Sequence, residues 1–284
     1  MIARPKRKLM SRADNHVLLY AALFLLCALI AAPLQAATQR VEGLEFDRVL
    51  IFGGVDVEIS QGDRNELRIR DVEEGAAQPF LLDGRTLVLG RDPKRPSRDL
   101  SDIQYKLQLV NITEIGVKGS ADVYIRPLTL SDLKISLAGS GEVRQFAFQG
   151  ASLSLGLQGS GDIQVAEIEV EKLDVSLSGS GDVELGTIAA QQVDIALRGS
   201  GDVEAEASGK TSQLDIAVIG SGDVDLGRLD ASSARVSIIG SGDALIGAAQ
   251  ELDVTILGSG SVIYRGSPDI KQSVIGSGDL ERAR

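Results

Sequence analysis

Acidic side chains recur at one fixed place in this sequence, as the last residue of a repeated Gly-Ser-Gly-Asp motif. Five of them form what is called here the acid column: Asp162, Asp182, Asp202, Asp223 and Asp243. Carboxylate oxygens in such a row are ligands that Ca²⁺ takes. The structural alternative is that each Asp accepts hydrogen bonds from backbone N–H groups in its own bend. We expect the structural role, because the spacing differs from that of the nine-residue calcium-binding repeat.

A serine occupies the second position of all nine motif copies, from Ser120 to Ser277. A catalytic serine requires a base that takes its proton. The only histidine is His16, and no Ser–Lys motif occurs in the chain. We therefore assign no catalytic residue and no cofactor, and we expect the serines to form a structural hydroxyl ladder.

His16 and the only cysteine, Cys27, both lie in an N-terminal segment with the layout of an export signal. Basic residues from Arg4 to Arg12 precede an apolar run over residues 17–30, and small residues at 32–37 follow it. Residues 1–36 are therefore predicted to be a signal peptide. The alternative is an uncleaved membrane anchor, since the apolar run nearly suffices to span a bilayer. Export would place the protein in the periplasm, at the outer-membrane surface or outside the cell.

The negative charge of the chain disfavours anionic partners. The formal net charge is -11, and removal of residues 1–36 takes away five basic residues and one acidic residue, which leaves -15. Binding to nucleic acid or to an anionic membrane surface is unfavourable for such a protein. A membrane would be contacted only through the N-terminal segment, if it is uncleaved.

The motif copies stand at nearly constant spacing. They begin at positions 119, 139, 159, 179, 199, 220, 240, 258 and 276. A fixed period of this length indicates a repeat architecture in which each unit stacks on its neighbours.

Residues around each motif alternate between apolar and polar, which is the period of a β-strand. Leu173, Val175 and Leu177 share one face, while Asp174 and Ser176 share the other. We predict an all-β fold, a parallel β-solenoid (β-helix) with rungs of about 20 residues. A right-handed coil is favoured, and the alternative architecture is an antiparallel β-sandwich or prism.

Both glycines of each motif fall in phase with the inward-facing apolar residues. We expect them to mark bends where the walls of the coil converge and leave no room for a side chain. The predicted bend residues are Gly159, Gly161, Gly179, Gly181, Gly199, Gly201, Gly220, Gly222, Gly240 and Gly242.

The sequence resembles a bacterial family of unknown function, the autotransporter adhesin head GIN domain. The resemblance covers roughly residues 44–284, from Phe46-Asp47-Arg48-Val49 and the run over residues 55–63 (VDVEISQGD) through the stacked motifs. It implies a β-helical body, an exported envelope or surface protein, and no assigned catalytic residues. Within this region we expect an N-terminal β part or cap over residues 44–110 and a repeat solenoid over residues 111–284.

The outward position just before each motif becomes apolar in the C-terminal half of the chain. The apolar column consists of Ile219, Ile239, Leu257 and Ile275. Exposed apolar stripes usually mark an interface, so we predict self-association or a partner surface here. The alternative is that loops or the N-terminal part cover these residues.

Two classes of function fit these features. The first is a non-catalytic exported scaffold or adhesin-like protein that binds a protein or a glycan at the cell surface. The second is a polysaccharide-active hydrolase or lyase, whose acid pair could lie among the many carboxylates. We favour the first, because the aromatic residues are few and widely separated in the sequence.

Overall fold

The computed structural model of the chain describes residues 38–70, 79–91, 100–101 and 103–283. The predicted signal peptide, residues 1–36, lies outside these residues. All the regular secondary structure in the described ranges is β-strand. Those ranges contain no helix of the length and hydropathy needed to cross a membrane.

One rung of the fold consists of three strand segments separated by bends. In the rung that starts at Asp132, the segments are Asp132–Gly139, Glu142–Gln145 and Phe148–Gln149. Each segment pairs in parallel with its equivalent in the following rung, as Leu133 does with Leu153. The segments therefore stack into three parallel sheets, called here the first, second and third faces. The predicted β-solenoid is confirmed, and the antiparallel alternative is wrong for the repeats.

The strand bounds follow the motif period from β8 onward, whereas the strands before it are irregularly spaced. Strands β1 to β13 are Gln39–Glu42, Arg48–Gly53, Asp56–Gln61, Glu66–Arg70, Phe80–Asp83, Thr86–Leu89, Gln104–Leu109, Glu114–Gly119, Asp122–Ile125, Leu128–Thr129, Asp132–Gly139, Glu142–Gln145 and Phe148–Gln149. Strands β14 to β25 are Ser152–Gly159, Asp162–Gly179, Val183–Gly199, Val203–Ala205, Gly209–Gly220, Val224–Leu226, Leu229–Gly240, Ala244–Ala248, Glu251–Gly258, Val262–Arg265, Asp269–Gly276 and Leu280–Arg282. The long strands β15 and β16 each run through all three faces without a break.

The core is a stack of aliphatic side chains that point into the coil. Leu153, Leu155 and Leu157 of β14 are buried, and the residues between them face outward. Their partners in the next rung are Leu173, Val175 and Leu177, which are buried in turn. Because each rung alone is too thin to bury its apolar face, burial depends on stacking.

The glycines sit at the bends, but the reason for them differs from the prediction. The second glycine of a motif, such as Gly181, is buried, whereas the first, such as Gly179, is partly exposed. Gly179 has a φ of 144°, which L residues rarely adopt. A Cβ on Gly181 would lie 1.9 Å from the carbonyl oxygen of Gly161 in the preceding rung. The constraint therefore comes from the rung below, and convergence of the walls is not required.

The first rung begins further upstream than the motif spacing indicates. Gly53 and Asp56 pair in register with Gly119 and Asp122, so the sequence Gly53-Gly54-Val55-Asp56 is a divergent motif copy. The stretch between these two copies includes a further partial rung, formed by β6 and β7, which pair in parallel with β2 and β3.

Antiparallel strands cover the N-terminal end of two faces. Strand β5 pairs antiparallel with β6, and β4 pairs antiparallel with β7 on one edge and with β1 on the other. A covered edge no longer presents the parallel ladder on which another rung could stack.

A buried carboxylate holds the β1–β4 pair. The side chain of Glu66 is 1% exposed and contacts three guanidinium groups, those of Arg40, Arg64 and Arg68. The Arg40 Nη2–Glu66 Oε2 distance is 2.7 Å. The hydrogen bond from Arg68 lowers the pKa of Glu66 most; burial opposes this change, and Arg40 lowers the pKa further.

Replacement of Gly181 by Ala should lower the free energy of unfolding by about 3 kcal/mol, because the new methyl group collides with a backbone carbonyl that cannot move without parting the rungs. Gly156→Ala is the matched control: its Cβ would have no atom closer than 3.9 Å. We expect that variant to unfold like the unmodified protein or slightly later. Urea denaturation measures both, and equal losses in the two variants would contradict the stacking constraint.

Acidification should selectively weaken the β1–β4 end. Because the folded-state pKa of Glu66 is lowered, the stability that its charge contributes is present above the ordinary carboxylate pKa of about 4 and is lost as the pH falls through the folded value. Glu66→Gln should therefore lower the melting temperature at pH 7. The difference in melting temperature from the wild type should shrink as the pH falls below about 4. Glu45→Gln, which changes an exposed side chain on the same part of the chain, serves as the control. A Glu66→Gln difference that stays constant with pH would refute this role.

Candidate functional site

The acid column is linked by hydrogen bonds between rungs. The backbone N–H of Asp182 donates to Oδ1 of Asp162, with an N–O distance of 3.2 Å. The same bond joins each later pair in the column, at 3.0, 2.8 and 2.7 Å, and the last one runs from the N–H of Ser261 to Asp243 at 2.7 Å. Each carboxylate thus accepts from the next rung. The prediction that each carboxylate accepts from an N–H of its own bend is therefore wrong, because the donor belongs to the next rung.

These carboxylates face outward beside other acidic side chains of the second face. Burial raises the pKa of the neighbouring Glu184, and the carboxylates of Glu206, Asp162, Glu204 and Asp182 raise it further. The second face in these rungs is therefore a region of accumulated negative charge.

Among the described residues, no three His, Cys, Asp or Glu side chains are grouped so as to hold a metal ion. One oxygen of each acid-column carboxylate is already engaged with a backbone N–H. The arrangement links rungs in series, and it does not gather several carboxylates around one point in the described part of the chain.

The motif serines take part in the stacking through their backbone. The N–H of Ser180 donates to the carbonyl oxygen of Gly159 at 2.9 Å, and the N–H of Gly181 donates to the same oxygen at 3.2 Å. The serine side chains are exposed on the outside of the bend. They form a row of hydroxyl groups along the stack.

The apolar column is an unbroken exposed strip on the first face. Ile219, Ile239, Leu257 and Ile275 pair in register with one another in successive rungs. Their exposed fractions are 43%, 46%, 47% and 64%. Neither loops nor the N-terminal part cover them among the described residues.

Small outward residues form a trough beside the apolar column. Ser176, Ala196, Ala217 and Ser237 occupy the next outward position along the strands and line a shallow groove parallel to the stacking axis. The opposite wall carries charged residues, among them Asp215 and Arg235. Arg235 lies between two carboxylates, 3.9 Å from Asp215 and 4.0 Å from Asp253.

An aromatic and arginine cluster on the second face was missed from the sequence. The guanidinium of Arg144 lies 5.8 Å from the ring centroid of Tyr124, and that of Arg126 lies 5.4 Å from the ring centroid of Phe146. Both rings are exposed, Tyr124 by 36% and Phe146 by 44%. The register places Tyr124 beside Arg144 in adjacent rungs, although the aromatic residues are widely separated in the sequence. The repeat period, applied to outward positions, would have placed them in adjacent rungs.

The sequence matches the profile of one protein family over residues 45–208 and 153–268, and that family is described as "Putative auto-transporter adhesin, head GIN domain". The two overlapping matches together cover more than three quarters of the chain. No curated protein matches the sequence.

Solved structures with the same fold come from species of Parabacteroides. A protein of P. distasonis ATCC 8503 described as a putative lipid binding protein has 24% identity and a TM-score of 0.63, and the alignment covers 89% of this chain and 98% of that one. A putative adhesin of P. merdae ATCC 43184 has 20% identity and a TM-score of 0.64, with the same coverage. A putative adhesin of P. distasonis has 19% identity, a TM-score of 0.62, and coverage of 87% and 96%. At these identities the likeness establishes the fold alone.

The hydrogen bonds of the acid column predict that it stabilises the fold without calcium. Asp202→Ala removes the acceptor of the Asp223 N–H. Loss of one such bond should lower the free energy of unfolding by roughly 1 kcal/mol. Millimolar calcium should leave the melting temperature of the unmodified protein unchanged, with magnesium as the control. A calcium-specific rise in melting temperature that disappears in Asp202→Ala would show that the column binds cations.

Proposed function

Because this chain belongs to the auto-transporter adhesin head GIN domain family, we propose that it is an exported, non-catalytic β-solenoid of the cell envelope or surface that acts by adhesin-like binding. The family supports a surface role, and the export-signal layout of residues 1–36 supports passage across the inner membrane. A location in the periplasm, at the outer-membrane surface or in the extracellular space is compatible with such export.

The apolar column is the observation that carries this function. Its four members recur once per rung, at the strand spacing of about 4.8 Å, so they present a continuous strip about 14 Å long. Four exposed apolar groups aligned in successive rungs indicate a contact surface. The protein interior is already filled by the inward residues of the same strands.

A second copy of the chain is the partner that we assign to the apolar column. The column presents the same kind of side chain at every step, with Ile219, Ile239 and Leu257 each close to half exposed. Such a strip can pack against its own copy, since a contact about a twofold axis places the same patch against itself.

The double variant Ile239→Ser and Leu257→Ser should keep the fold and lose the association. Both side chains are about half exposed, so their removal leaves no cavity in the core. We expect the melting temperature to change little, and the solution mass, measured by light scattering, to fall from the associated form to the monomer. Val110→Ser is the matched control, because Val110 is 46% exposed and lies outside the column. An unchanged mass in the double variant, or a monomeric mass for the unmodified protein, would contradict the assignment.

A further inference from the structure

A groove on the second face begins at the Phe146 ring and ends at Glu206. Its floor is formed by Ala166 and Gly186, which occupy the same outward position as Phe146 in the next two rungs. Three rung steps of about 4.8 Å separate its two ends, which gives a length of about 14 Å. The groove is open to solvent along its length, and its volume is about 380 Å³, within the range of small-ligand sites.

The stacking of the rungs excludes a side chain at Gly186 in the floor of the groove. A Cβ on Gly186 would lie 2.0 Å from the backbone oxygen of Ala166, so no larger residue fits there. Ala166 itself is exposed and carries only a methyl group. The groove is therefore a gap between two larger side chains, Phe146 on one side and Glu206 on the other.

The Phe146 ring is held in position from the side that faces away from the groove. Arg126 belongs to the preceding rung and lies over the ring, while the groove lies over the following rungs. Arg126 is itself fixed by two hydrogen bonds to Glu58 Oε1, from Nε at 2.9 Å and from Nη2 at 2.8 Å. An aromatic ring oriented in advance loses little conformational entropy when a ligand stacks on it.

One wall of the groove changes from basic to acidic along its length. Arg144, Gln164 and Glu184 follow one another in register, and Glu204 comes next. Arg144 is paired with Glu142 at the aromatic end. At the other end no described Lys or Arg lies within ion-pair distance of the Glu184 or Glu206 carboxylates; Arg228 reaches only the backbone carbonyl of Glu206. Among the described residues, the two carboxylates at the acidic end therefore form no ion pair.

We propose that this groove binds a glycan that carries free amino groups. A sugar ring presents a face of C–H groups, whose partial positive charge suits the negative face of Phe146. Ammonium groups on the following sugars would meet the Glu184 and Glu206 carboxylates as charge-assisted hydrogen-bond donors. A neutral glycan leaves these carboxylates uncompensated, and an anionic glycan is repelled by them. This inference rests on the proposed adhesin-like function and names its ligand class.

Calorimetric titration of the full mature chain in physiological salt tests the groove with three probes. The probes are the hexamer of glucosamine, the hexamer of N-acetylglucosamine, which has the same rings without the charge, and spermine, which has the charge without the rings. We expect the glucosamine hexamer to bind at least about tenfold more tightly than either of the others, since only it engages both ends. Equal affinity for spermine would reduce the groove to a non-specific acidic surface and overturn the proposal. Equal affinity for the N-acetylated hexamer would overturn the requirement for amino groups.

Two variants change the groove by opposite means, so that misfolding of one cannot decide the result. Phe146→Ala removes the stacking surface, and Ala166→Leu fills the floor; each should weaken binding of the glucosamine hexamer by about tenfold. Val110→Ala, at a residue of similar exposure that lies outside both the groove and the apolar column, should leave the affinity unchanged. Unaltered affinity in both groove variants would overturn the assignment.

The same samples separate this inference from the function on which it rests. Absence of hexamer binding, together with an intact association through the apolar column, would overturn the groove and leave the proposed function standing. Recovery of shortened hexamer, measured by mass spectrometry, would support the groove as a glycan site but overturn the non-catalytic part of the function.

Discussion

The carbonyl oxygen of the first glycine in the five consecutive motifs from Gly139 to Gly220 accepts two backbone N–H groups from the rung that follows. For Gly159 the donors are Ser180 at 2.9 Å and Gly181 at 3.2 Å, and the same pair of bonds recurs at Gly139, Gly179, Gly199 and Gly220. This double acceptance brings the two backbones so close that a Cβ at either glycine position would overlap an oxygen of the rung below. The two glycine columns are therefore a condition of the stacking, and the stacking is what buries the aliphatic core.

Fixed stacking turns single residues into columns. Because the motifs lie directly above one another, every outward position repeats along the axis at the strand spacing. Adjacent carboxylates at this distance repel by roughly 0.9 kcal/mol even at the dielectric constant of water. The acid column offsets this repulsion, since Oδ1 of each member accepts the N–H of the next. The apolar column and the groove beside Phe146 arise in the same way, from residues that the period places side by side.

The sequence was sufficient for the parts of the fold that repeat and insufficient for those that do not. The period and the alternation around Leu173 and Val175 predicted the parallel solenoid and its rung length. The third face was missed because its segments are as short as Leu128–Thr129, which is too short to show alternation. The rung at Gly53 was missed because its motif lacks the serine and lies far upstream of the next copy. The antiparallel strands over the N-terminal end have no period at all, and their pairing depends on contacts such as those of Glu66 with three arginines.

The motif bends are fixed by hydrogen bonds to the rung below, although they lie at the outside of the coil. Amide hydrogen exchange of the unmodified protein, resolved by NMR at Ser180, Gly181, Ser200 and Gly201, measures whether these bonds hold. We predict that these four amides exchange as slowly as the strand amides of Leu177 and Leu197, because opening any of them requires two rungs to separate. Rapid exchange at the bends beside slowly exchanging strands would show that the hydrogen bonds to the rung below do not fix the bends.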